Sequence, residues 1–119
     1  RNVRDWIHVD DHCNAIALVI QRGVTGEVYN IGSRAEKRNI DVAESILRLT
    51  DKPETAISFV EDRLGHDWRY AIDPVKINEL GWYPSHGFDK GLEQTLRWYA
   101  ANPDWCRERT EMTSKVSLG

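Results

Sequence analysis

A short β-rich run, Trp6-Ile7-His8-Val9, leads straight into an amphipathic helical repeat, and this junction constrains the fold more than any other stretch of the chain. Asp10 and Asp11 follow the run, and their carboxylates can accept the unpartnered N–H groups of a helix start. Across residues 11–21, Ala15, Ile16, Val19 and Ile20 recur at helical spacing, and Gly23 is placed to supply the left-handed residue on which such helices end. Beyond the turn Val24-Thr25-Gly26, Val28 and Asn30 alternate with Tyr29 and Ile31, which predicts a second short strand over 27–32. Strand, helix and strand in that order predict an α/β fold.

The rest of the chain continues the alternation. Residues 33–39 are polar and read as a loop. Asp41 followed by Glu44 fits a capping box, and Val42, Ile46 and Leu49 share one face of a helix that ends before Lys52-Pro53. Ile57-Ser58-Phe59-Val60 predicts a third short strand. Asp73-Pro74 and Leu80-Gly81 bound a brief helix, and Leu92, Leu96 and Tyr99 place another over 89–101, stopped by Asn102-Pro103. The expectation is two or three short strands with three to four helices, one region over 1–105, and a tail over 106–119 that frays from about Thr110.

At 119 residues there is room for one domain. A formal charge of −3 supplies no cationic field for a polyanion, which argues against nucleic-acid binding. No apolar run approaches the length of a membrane span, the longest being 15–20. Cys13 and Cys106 are too few for a disulfide framework, and the charged opening Arg1-Asn2-Val3-Arg4-Asp5 is unlike a signal peptide, so a reducing, cytoplasmic setting is expected. Arg1 stands first and Met112 is the only methionine, so the chain is expected to be a piece of a longer protein.

Chemistry concentrates in Glu61-Asp62-Arg63-Leu64-Gly65-His66-Asp67-Trp68-Arg69-Tyr70, where guanidiniums and an imidazole surround one glycine. Such a set suits an anionic small ligand, since Arg offers a planar fork of donors to phosphate. A solvated loop whose charges pair with one another is the competing reading. In the second cluster, Arg4 to His12, Asp10 and Asp11 read as helix caps and Arg4 as a cation at the mouth of a strand. His8/Asp10 and His12/Asp11 lack a third metal ligand nearby, so no metal is expected. Trp82, Trp98 and Trp105 read as packing aromatics, while Trp68 stays open. Nowhere does a glycine-rich turn open a helix, and no tyrosine is followed four residues later by lysine.

The run Arg4-Asp5-Trp6-Ile7-His8-Val9-Asp10-Asp11-His12 resembles the segment that opens the substrate-binding region of extended short-chain dehydrogenase/reductases acting on nucleotide sugars. The stretch from Asp62 to Asp73, with Lys76 and Leu80-Gly81-Trp82-Tyr83-Pro84, is similar to the dTDP-glucose 4,6-dehydratases among them, as are residues 26–32 and Trp98-Tyr99. The resemblance covers about 1–105 and implies the C-terminal, substrate-binding part of such an enzyme, its Rossmann domain lying upstream. It also implies that Arg4 and Arg63 grip the diphosphate of dTDP-glucose, that Asn39 helps hold the nucleotide, and that Asp62, Arg63, Leu64, Gly65 and His66 line the pocket. Leu64 departs from the family, where proline is usual. NAD, the catalytic residues and a homodimeric parent enzyme are implied for the remainder, with the fragment alone inactive. A related epimerase or decarboxylase, or a non-catalytic binding module, are the alternatives.

Overall fold

The computed structural model describes residues 2–61 and 64–116, the last six by backbone alone. In chain order the elements are β1 (Val3–Asp5), α1 (Val9–Arg22), β2 (Glu36–Arg38), α2 (Asn39–Leu49), a 3-10 turn (Glu54–Ala56), α3 (Val75–Glu79), α4 (Phe88–Ala101) and α5 (Pro103–Val116). Among the described residues there are thus five α-helices, one more than the upper expectation, and one two-stranded sheet.

The sheet differs most from the sequence reading. β1 lies before the β-rich run, and Trp6-Ile7-His8 forms the connection into α1. Antiparallel to β1 runs β2, with Val3 opposite Arg38, Arg4 opposite Lys37 and Asp5 opposite Glu36. β2 therefore occupies part of the segment expected to be a loop. Its residues are all exposed, so no burial pattern marks it, and its backbone pairing alone makes it a strand. On the other edge of β1, the Val3 N–H donates to the Trp68 carbonyl at 2.8 Å and the Tyr70 N–H to the Val3 carbonyl at 3.1 Å, a single parallel bridge between Val3 and Arg69.

Residues 27–32 and 57–60 are not strands. In the first, Tyr29 and Ile31 pack against the core, so their alternation serves packing without a ladder. In the second, Phe59 and Val60 are 85% and 86% exposed, apolar residues with no sheet to join. Gly23 ends α1 with φ −67°, an extended residue, which corrects the left-handed expectation. A Cβ there would sit 2.5 Å from the Val19 carbonyl oxygen, so close approach is what demands glycine.

Helix starts depart from expectation in one way: the carboxylates find other partners. His8 caps α1, its Nδ1 accepting the Asp10 N–H at 3.3 Å, while Asp11 turns inward. At α2 the expected capping box does not form, because the helix already begins at Asn39 with Arg38 at its cap; Asp41, inside the first turn, takes the Arg38 guanidinium, Nε to Oδ2 at 2.8 Å. Asp73 does behave as expected and accepts the Val75 N–H at 3.1 Å, and Gly81 closes α3 at φ +94°. Past Asn102-Pro103 the chain turns into α5, which carries regular structure across the expected tail as far as Val116.

The core gathers Ala15 of α1, Ile77 of α3 and Trp82, with Ile7, Leu18, Val19, Tyr29 and Ile31 against them. Trp82 donates its indole N–H to the Asp11 carbonyl at 3.2 Å, so the aromatic expected to pack does so without leaving a polar atom unmet. Asp11 is itself 2% exposed. It accepts from Ser85 Oγ at 2.6 Å, the Ser85 N–H at 3.1 Å and the His86 N–H at 2.9 Å, tying the start of α1 to the turn before α4. Burial alone would push this carboxyl up, but the hydrogen bonds from Ser85 and His86 outweigh it and hold it well below the usual carboxylate range.

Candidate functional site

β1 delivers Arg4 to the sheet edge where the charged loop returns. Its Nη1 donates to the Val3 carbonyl at 2.7 Å, and its Nη2 reaches His66 Nε2 at 2.8 Å, 62 residues away, and the Asp67 carbonyl at 3.0 Å. The guanidinium carbon also sits 4.4 Å from the centre of the Tyr70 ring. Tyr70 in turn donates its hydroxyl proton to Asp67 Oδ2 at 2.5 Å. Three of Arg4's five N–H donors are thereby used.

His66 is held from both sides. Because a guanidinium can only donate, Nε2 accepts from Arg4. Nδ1 faces the Asn2 side-chain amide, Nδ2 to Nδ1 at 2.8 Å. Asn2 also accepts the Asn39 N–H on its carbonyl oxygen at 2.9 Å, which fixes the start of α2 beside the same edge. The Asn39 side chain is exposed there. Sequence reasoning passed over Asn2, whose role becomes visible only when residues 2, 39 and 66 meet.

The structure thus brings Arg4, Asn39 and His66 together. Gly65 turns the loop at φ +72°, a conformation that suits glycine, and Leu64 is fully exposed beside it. Asp62 and Arg63 lie outside the described residues. Part of the solvated-loop reading also holds: Arg69 forms a bidentate pair with Glu36 of β2 at 2.6 and 2.8 Å, which pins the returning chain and leaves that guanidinium occupied. Asp5 stabilises the turn before β2, accepting from Ser33 Oγ at 2.8 Å and the Ala35 N–H at 2.9 Å.

A second cluster joins the His8/Asp10 pair to a residue far away in sequence. His86, from the turn before α4, stacks on His8 with ring centres 4.1 Å apart and planes 20° apart, next to Asp10. Both rings face a cavity of about 650 Å³ that Trp98, Tyr99 and Trp105 also line. Trp98 and Trp105, expected to be packing aromatics, meet edge to face at 5.1 Å but remain 46% and 42% exposed. Trp68 is 66% exposed.

No group of the described residues resembles a dinucleotide cradle. The β1–α1 connection holds no glycine, and Gly26 turns at φ +86° in open space without opening a helix.

Comparison with known proteins places the chain. Its residues 1–95 match the profile of the GDP-mannose 4,6 dehydratase family. A dTDP-glucose 4,6-dehydratase of Xanthomonas campestris pv. campestris is 46% identical over 115 residues, 88% of this chain and 33% of that protein. A probable dTDP-glucose 4,6-dehydratase of Sinorhizobium fredii is 47% identical over 99% of this chain and 36% of its own length. Among solved structures, the dTDP-glucose 4,6-dehydratase of Bacillus anthracis in complex with NAD superimposes with a TM-score of 0.80 at 50% identity, over 87% of this chain and 33% of that one. The enzyme of the same name from Streptomyces venezuelae, with NAD and TYD bound, gives 0.82 at 44% identity over the same shares. Such neighbours have the extended short-chain dehydrogenase/reductase fold, and this chain spans about a third of their length. By the match over residues 1–95, the chain belongs to the GDP-mannose 4,6 dehydratase family.

Proposed function

We propose that this chain is the C-terminal, nucleotide-sugar-binding part of a dTDP-glucose 4,6-dehydratase. The observation that carries the reading is the meeting of Arg4 and His66 at 2.8 Å, with Asn39 of α2 fastened to the same edge through Asn2. Its further support is the 44–50% identity to enzymes of that name, one of them crystallised with NAD and TYD. Arg4, its guanidinium already oriented by four neighbours, meets the diphosphate together with Arg63. Asn39 holds the nucleotide, and Asp62, Arg63, Leu64, Gly65 and His66 line the pocket.

In the whole enzyme dTDP-glucose loses water to give dTDP-4-keto-6-deoxyglucose, and the residues of this chain bind and orient the nucleotide end. NAD supplies the redox chemistry and is held outside this chain, as are the groups that move protons on the sugar. The enzyme acts as a cytoplasmic homodimer, without nucleic acid or membrane. Among the described residues no helix is long and apolar enough to cross a bilayer.

The test is turnover by the full-length enzyme. It should consume dTDP-glucose in preference to UDP-sugars, and Arg4→Ala should raise the dissociation constant for dTDP-glucose by about one to two orders of magnitude, the worth of one charge-assisted hydrogen bond in a partly desolvated site. Equal affinity in wild type and variant would remove Arg4 from the pocket; turnover of UDP-sugars alone would overturn the substrate.

A further inference from the structure

We propose that His8, Asp10 and His86 form a site for a divalent transition-metal ion of the zinc class. Each offers one ligand atom, and the three lie within 4.8 Å of one another. Two imidazoles and a carboxylate are the donor set that zinc accepts readily, with one position left for water. His8 and Asp10 come from the start of α1 and His86 from the turn before α4, so an ion would join two parts of the chain distant in sequence.

The surroundings prepare His86 for this role. Its Nδ1 is 3.0 Å from Asp11 Oδ1 and 3.1 Å from Ser85 Oγ, which places the ring proton on Nδ1 and leaves the lone pair of Nε2 free. A buried carboxylate behind a histidine in this way orients the ring as a ligand. The positive ends of α1 and α4 converge here and oppose a cation, and Asp10, Asp11 and Asp89 in their first turns offset them. The cavity of about 650 Å³ is lined by all three ligands and gives an ion its route of entry.

Binding changes the local geometry in a definite way. Zinc–nitrogen bonds are about 2.1 Å long, so two rings stacked 4.1 Å apart must tilt for their lone pairs to converge. His8 also gives up its 3.3 Å cap on the Asp10 N–H, the longest bond in the cluster. Asp10 is 69% exposed and free to swing inward.

The experiment is calorimetric titration of zinc chloride into the untagged chain near neutral pH, in a Cys13→Ser background that removes an exposed competing thiol from α1. One ion per chain is expected, with a rise in melting temperature that zinc alone produces. His86→Gln should weaken binding about tenfold or more, and so should His8→Asn, which keeps a side-chain acceptor for the helix start. His12→Gln, on the exposed side of α1, should change nothing. The cobalt-loaded chain should show the visible absorption of a nitrogen and oxygen site, lost in His86→Gln. Absence of saturable binding, or equal affinity in wild type, His86→Gln and His8→Asn, would overturn the site. Neither result bears on the proposed nucleotide-sugar binding, which rests on Arg4 and His66 and uses none of the three ligands.

Discussion

Replacing Asp11 with asparagine removes one charge from the interior while keeping its shape. The carboxylate accepts three donors from Ser85 and His86 at 2.6, 3.1 and 2.9 Å and has the His86 ring at 3.0 Å. Hydrogen bonds to a charged group contribute roughly 1.5–3 kcal/mol each, but here they share the cost of burying one carboxylate, so their values do not add. Asparagine keeps one accepting oxygen and turns an NH2 group against donors that then lose their partner. A loss of about 2–4 kcal/mol results, on the order of 10 °C in melting temperature for a chain of this size. Urea denaturation at pH 7 measures the loss, and hydrogen exchange at the Ser85 and His86 amides locates it. The pH dependence has a fixed sign. Because the folded carboxyl titrates below its unfolded value of about 3.9, its stabilisation is fully present above about pH 5 and is lost as pH falls through the folded value. The gap between wild type and Asp11→Asn should therefore be flat near neutrality and narrow in acid. A difference under about 0.5 kcal/mol at pH 7, with both amides still protected, would refute the reasoning.

Three further outcomes are expected. In the full-length enzyme, Arg63→Ala should weaken dTDP-glucose binding by about 10- to 100-fold with NAD affinity retained, and Arg63→Lys should recover part of it because a point charge lacks the guanidinium fork; equal dissociation constants would dismiss the pocket role of the 62–66 loop. Calorimetry of NAD into this chain should show no saturable binding at micromolar concentration, since no glycine-rich turn cradles a pyrophosphate. Val9, Ile16 and Ile20 along α1, with Phe59, Val60 and Leu64, are exposed, so the isolated chain should bind a hydrophobic dye and self-associate; a monodisperse, dye-silent chain would contradict this.

How far the fold was legible follows from what each element depends on. α1, α2 and α4 were readable because their apolar stripes repeat within a single segment, and Asp73 and Gly81 bound α3 through purely local contacts. The strands were not, since a strand is defined by a partner. Glu36-Lys37-Arg38 carries no strand signal yet pairs with β1, whereas Ile57-Ser58-Phe59-Val60 carries a strong one and pairs with nothing described. Asp11 was misread for the same reason: its helix-cap signal is local, but its partners lie 74 and 75 residues away. α5 escaped because Asn102-Pro103 marks the end of one helix equally well as the start of the next.

The site divides along the same line, and the division says how it works. Arg4 and His66 were legible as residue types suited to an anion, each in its own cluster, but not as a pair. What joins them is the return of Trp68 and Tyr70 along β1, held by Val3 on one side and by the Arg69–Glu36 fork across the sheet. The Arg69–Glu36 pair therefore helps the Arg4–His66 pair to exist, because it anchors the loop that carries His66. If the proposed function is right, loosening that anchor would let His66 drift from Arg4 and lower diphosphate affinity at a distance, with no contact to the ligand itself. A guanidinium that is preoriented by Val3, Asp67, His66 and Tyr70 loses less freedom on meeting a phosphate than one swinging on a surface, and under the proposed function that saving would favour binding at this edge.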